Sequence, residues 1–170
     1  MPTRFHFEHT FRAPDPATVF AAYFDAGHQR EQDAAVAIAH RHVLEDVDGP
    51  AQRQRHSRVT PRRQLPAVLR PLVKGDLAYD ETLVWTKAAD RLDFDIQPHL
   101  LDGRARIVAT YQLATLGPGQ VRRSYDGQVT VEVRLVGARI ERAIVDDLGR
   151  SLDIAARVTQ AYLDRHAPAT

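Results

Sequence analysis

Glu81 stands in the alternating run "LAYDETLVW" at 77–85, on the same face as Leu77, Tyr79, Leu83 and Trp85. A carboxylate on an apolar face must be ion-paired, hydrogen-bonded or protonated, because a bare buried charge is costly. Arg123, at the outer end of another alternating run, is one partner the sequence offers, and a histidine is another. Turned toward an enclosed space, Glu81 would hold the polar end of a ligand or act as a general acid or base. It is the first candidate for a catalytic residue. At a strand end it would instead be a rim carboxylate paired with an arginine.

Other chemistry is weakly supported. "AHRH" places His40 and His42 two apart, on one face of a strand, and His28 with Glu31 is a second pair of metal-ligating types. No third ligand has telling spacing, and two histidines flanking one residue is a weak pattern in a chain with eight histidines, so no metal or other cofactor is expected. Ser57, Ser124 and Ser151 lie in no nucleophile-elbow motif, and "GPG" at 117–119 has no helix after it to complete a phosphate loop. With no cysteine, disulfides, thiolate metal sites and thiol nucleophiles are excluded.

The compositional anomaly is 49–75, "GPAQRQRHSRVTPRRQLPAVLRPLVKG", which has Arg53, Arg55, Arg58, Arg62, Arg63, Arg70 and Lys74 and no acid. Arg62, Arg63, Arg70 and Lys74, with Leu69 among them, suit docking on an anionic membrane or greeting an anionic headgroup at a cavity mouth. The alternative is an exposed basic strand balanced by acids elsewhere. Nucleic acid is not an expected partner: formal net charge is +1 and no aromatic residues interleave with the arginines.

The elements that must position these residues follow from periodicity. Residues 4–12 put Phe5, Phe7, His9 and Phe11 on one face of a strand. Asp15 and Pro16 open a helix with Val19, Phe20, Tyr23 and Phe24 as its apolar stripe; Gly27 breaks it, and a second short helix follows. Strands are expected near 36–47, 51–60, 76–88, 91–97, 104–115 and 121–135. Residues 138–166 form one amphipathic helix, with Ile140, Ile144, Leu148, Leu152, Ala155, Thr159 and Tyr162 or Leu163 at helical spacing. An antiparallel sheet with one apolar face needs a cover, and only that helix is long enough. Gly137 would be the corner between the sheet's edge and the helix.

Inward stripes then define a candidate cavity. Besides Tyr79, Glu81, Leu83 and Trp85, it would draw on Ile107, Ala109 and Tyr111 from the next-to-last strand. The last strand would add Arg123, Tyr125 and Val129, with Val131, Val133 and Leu135 continuing its stripe; the helix would add Ile144, Leu148 and Leu152. Small residues at Ala105, Ala109 and Gly127 leave space unless larger neighbours fill it.

The words "HTFRAPDPATVFAAYFD" at 9–25, "LPAVLRPLVKG" at 65–75, "ETLVW" at 81–85 and "VEVRLVGARIE" at 131–141 span nearly the whole chain. Together they resemble the START-like superfamily, the helix-grip fold of polyketide cyclases, lipid-transfer proteins and plant pathogenesis-related proteins, and within it a bacterial branch without assigned function. The resemblance implies an α+β fold: a curved antiparallel sheet of about seven strands gripping a long C-terminal helix, with two short helices after strand 1. One domain over 1–170 is expected.

It also implies a cavity for a small hydrophobic or lipid-like ligand to bind or transport. A cyclase or dehydratase acting on a polyketide-like substrate in that cavity is the enzymatic alternative, and a non-catalytic interaction module the third. No stretch of 18 apolar residues or signal-like leader occurs, so a cytoplasmic location is expected. Oligomeric state is left open by the sequence.

Overall fold

The computed structural model describes residues 1–62, 67, 70–72 and 77–168. Seven strands form one antiparallel sheet: β1 (Thr3–Arg12), β2 (Ile38–Asp48), β3 (Gln52–Pro61), β4 (Tyr79–Thr86), β5 (Arg91–Pro98), β6 (Ala105–Gly117) and β7 (Gln120–Val131). Their spatial order is β1-β7-β6-β5-β4-β3-β2. Strands β2 to β7 form a meander. The first strand instead pairs with the last, so β1 and β2 are the two edges. Helices α1 (Pro16–Phe24) and α2 (Ala26–Ala35) carry the chain from one edge to the other, and α3 (Gly137–His166) packs against β1, β7, α1 and α2. This is a helix-grip fold, with the core between the sheet and α3.

The local causes match the residues. Asp15 caps α1 by accepting from the Thr18 N–H at 2.8 Å, and Pro16 occupies the first helical position. The break between the short helices falls at Asp25, not Gly27. Asp25 is extended, and its carboxylate accepts from the N–H groups of Gly27 and His28, so it ends one helix and caps the next. Gly27 lies inside α2.

The corner before α3 also differs from the expectation. Strand β7 ends at Val131; Val133 still packs half-buried against the core, but Leu135, expected inward as well, does not. Residues 132–136 form a turn in which Leu135 has a left-handed φ of 69° and a fully exposed side chain. Gly137 serves this corner by close approach rather than by φ: a Cβ there would lie 2.6 Å from the Val131 carbonyl oxygen.

Glu141 fastens the junction. It is 3% exposed; one carboxylate oxygen accepts from the Val131 N–H at 2.9 Å and the other from the Thr3 hydroxyl at 2.7 Å. One side chain in the first turns of α3 thus takes up the donor at the end of β7 and ties down the start of β1. Further along, His9 meets Asp153 and Arg12 meets Gln160 and Asp164, so α3 follows the β1 edge for most of its length.

Strand β2 is irregular. Ala39 and Leu44 are extra residues opposite β3, and each shifts the register. Val43, Leu44 and Val47 are exposed on this edge.

Replacing Glu141 with Ala removes both bonds and leaves the Val131 N–H buried without an acceptor, a loss of about 3 kcal/mol. Glu141→Gln keeps one acceptor and is expected to lose much less; urea midpoints of the two variants check this. A second outcome concerns His28, which is 1% exposed, bonded through Nε2 to Thr159 Oγ1 at 2.9 Å, and lacks a partner at Nδ1. Burial pushes its imidazole below the ordinary value, outweighing Glu31, Asp25 and Asp33, which favour the charged form; Arg165 opposes it as well. The unfolded chain therefore takes up the proton first. Stability is expected to fall as pH drops below about 6.5, and His28→Gln to flatten that fall in urea unfolding curves.

Candidate functional site

A cavity of about 130 Å³ lies where the sheet, α2 and α3 meet. Tyr79 and Glu81 from β4, Phe94 and Ile96 from β5, Tyr111 from β6, and Arg123 and Tyr125 from β7 form its sheet wall. Leu148, Ser151, Leu152 and Ala155 come from α3. The short helices and β2 close it with Tyr23, Gln29, Gln32, Asp33, Val36, Ile38 and Arg41. Tyr79, Glu81, Tyr111, Arg123, Tyr125, Leu148 and Leu152 are therefore brought together here.

Leu83, Trp85, Ile107, Ala109, Val129 and Ile144 lie elsewhere in the core. Trp85 stacks on Phe20 and Phe24, with ring centroids 4.8 and 5.2 Å away. The space expected beside Ala109 and Gly127 is filled by Phe5: a Cβ on Gly127 would lie 2.6 Å from the Phe5 ring and 2.8 Å from the Ala109 Cβ. The hollow forms instead on the β4–β5 side, beneath the short helices.

Glu81 does not pair with Arg123. Its partner is Arg41, whose Nη1 donates to Oε1 at 2.8 Å. The same guanidinium binds Asp33 through two nitrogens, at 2.9 and 3.0 Å. One cation thus joins two carboxylates from different elements, all largely buried. Burial alone would lower the arginine's affinity for its proton, yet Glu81 and Asp33 outweigh it and hold Arg41 above its ordinary value. Arg41 and Asp33 also line a groove on the outer side, with Arg30, Ala34, Ala37 and Arg62. The ion pair is a shared wall between hollow and groove.

Arg123, 4% exposed, sits at the opposite pole. Its Nη2 donates to His9 Nδ1 at 2.8 Å and to the Leu152 carbonyl at 3.2 Å. An arginine can only donate, so His9 accepts at Nδ1 and carries its proton on Nε2, toward Asp153 Oδ1 at 2.8 Å. Burial and then the Arg123 charge push the His9 imidazole down, against Asp153. Tyr23, Tyr79, Tyr111 and Tyr125 line the same space. Burial pushes Tyr23, Tyr111 and Tyr125 upward, and the Glu81 charge adds to this at Tyr23 and Tyr125, so all three are neutral donors at physiological pH.

The sequence offered no sign of Asp33 or the α2 glutamines. Nor did it mark Arg41: His40 and His42 are exposed, and the residue between them faces inward. The other histidine candidates diverge too, since Glu31 pairs with Arg165. Among the described residues no group of His, Asp or Glu is placed to hold a metal ion.

The arginines of β3 meet acids on neighbouring strands: Arg53 and Arg55 bind Asp46, and Arg58 binds Asp80. Arg62 and Arg70 are exposed. Arg63, Leu69 and Lys74 lie outside the described residues. Among the described residues no helix is long and apolar enough to cross a membrane.

The fold is the START-like helix-grip fold. Residues 6–163 match the family described as protein of unknown function (DUF2505), and the chain belongs to that family. No curated protein matches it. Among solved structures, it is similar to the Zhui aromatase/cyclase of a Streptomyces species, with a TM-score of 0.72 at 9% identity over 99% of this chain and 98% of that one. Norcoclaurine synthase from Thalictrum flavum, solved with dopamine and hydroxybenzaldehyde, gives 0.66 at 14% identity over 99% and 90%. A START superfamily protein from Mycobacterium smegmatis gives 0.61 at 11% identity over 95% and 97%. At these identities the likeness is one of fold.

Removing the Arg41 guanidinium leaves two carboxylates facing each other out of water. Arg41→Met is expected to cost about 3–5 kcal/mol. Urea unfolding of the variant beside the wild-type protein at neutral pH measures it.

Proposed function

We propose that this protein binds a small ring-sized ligand, apolar in body and polar at its ends, in the cavity between the sheet, α2 and α3. The observation that carries this reading is a hollow whose wall mixes aromatic faces with buried charge. Phe94, Ile96, Leu148 and Leu152 offer apolar contact, while Glu81, Arg123 and three neutral phenols offer hydrogen bonds. Burying such groups costs stability unless each meets a polar partner. The volume sets the size. A hollow of roughly 150 Å³ can hold benzene, so about 130 Å³ suits one ring rather than a multi-ring lipid or an acyl chain.

A second reading has a specific observation behind it. Glu81 stands close enough to Tyr23 and Tyr125 for its charge to disfavour their ionisation. A carboxylate and neutral phenols around one hollow are the parts of an acid–base catalyst for enolisation, cyclisation or dehydration. The solved aromatase/cyclase and norcoclaurine synthase of similar fold make such chemistry worth testing here.

Native mass spectrometry of freshly purified protein, with organic extraction, is the direct test: a discrete co-purifying mass of one-ring size supports the reading. Ala155 lines the hollow and is buried, so Ala155→Leu should fill part of it and abolish that mass while leaving a folded protein. An unchanged adduct in Ala155→Leu would remove the cavity as the binding place. For the enzymatic reading, Glu81→Gln should retain ligand and lose turnover of a one-ring carbonyl substrate; equal turnover would end it.

A further inference from the structure

Arg123 is a buried cation without a carboxylate. Among the described residues no Asp or Glu oxygen lies within ion-pairing distance of it. Its contacts are a neutral imidazole, one backbone carbonyl, the Tyr111 phenol, and the ring faces of Phe11 and Tyr111, 5.2 and 5.6 Å from the guanidinium carbon. The bonds to His9 and Leu152 both use Nη2, and Nε is buried with no partner. The guanidinium is gripped at one corner by β1 and α3, and the residue lines the cavity. A charge this buried is normally paired, because desolvation is not otherwise repaid.

The compensating negative charge lies across the hollow, where Arg41 is shared by Asp33 and Glu81. Along the wall of the hollow, the Arg123 pole thus carries a cation without a carboxylate and the Arg41 pole carries two carboxylates on one arginine. We propose that the native ligand is a small ring-bearing carboxylic acid, its carboxylate seated on Arg123 and a hydroxyl-type donor at its other end facing Glu81. Planar carboxylates match the donor geometry of a guanidinium, and the ring would lie among Phe94, Tyr111 and Tyr125. The proposal rests on the cavity being a binding site and adds the ligand's charge and orientation.

The test uses benzoate, 4-hydroxybenzoate and cyclohexanecarboxylate against their primary amides, which match them in size but are uncharged. Calorimetric titration of the wild-type protein at neutral pH should show at least one acid binding about tenfold or more tighter than its amide. The Nε–H proton resonance of Arg123 should move on titration with that acid and stay fixed with the amide. Arg123→Gln should abolish the preference, and Arg123→Lys should keep part of it.

Acid and amide binding alike would overturn the proposal and leave the cavity a binding site. A preference that survives in Arg123→Gln would place the anion elsewhere, and a motionless Nε–H signal would do the same without any variant. If no acid binds, the ligand class is wrong, and the co-purifying mass separately decides whether the hollow binds anything.

Discussion

A sheet that is apolar on one face must be covered, and in this chain the cover is a single helix that can lie across the sheet only if its first turns are held there. Glu141 is that hold. Its two oxygens take the last strand's terminal donor and the first strand's opening hydroxyl, so β1, β7 and α3 meet at one carboxylate. From this point α3 runs about 45 Å, along the β1 edge. Its far half reaches α2, where His28 meets Thr159 and Tyr162. The short helices are thereby set over the part of the concave face that α3 does not fill, and the hollow is what remains.

The polarity of that hollow follows from which elements reach it. The β-strands contribute phenols and apolar residues, and the short helices contribute amides and Asp33. Each arginine comes from a strand and is held by residues of another element: Arg41 by Asp33 on α2, Arg123 by His9 on β1 and the Leu152 carbonyl on α3. The two cations differ in what they have left to give. Arg41 is spent on two carboxylates, whereas Arg123 retains an unused donor.

Much of the architecture was legible because it depends on periodicity. Alternation placed the seven strands to within a few residues, helical spacing placed α3, and Asp15 with Pro16 marked the start of α1. What failed did so where periodicity stops or shifts. Leu135 was assigned inward by extending the alternation through a turn. The parity of β2 could not be read because Ala39 and Leu44 each insert a residue, which hid Arg41 between two outward histidines. With Arg41 hidden, Glu81 was left with Arg123 as the evident partner. The pairing of two carboxylates on one arginine depends on α2 folding back over the sheet, and no local pattern encodes that. Phe5 filling the space above Gly127 is likewise a contact between strands far apart in sequence.

The same two inserted residues in β2 bear on how the molecule behaves among its copies. An edge strand with exposed Val43, Leu44 and Val47 would be a template for fibre growth if its backbone donors ran at even spacing. Two bulges within eleven residues break that spacing. Exposed Glu45 adds a charge that a second copy would have to meet. The irregularity that turns Arg41 inward therefore also guards against edge-to-edge aggregation.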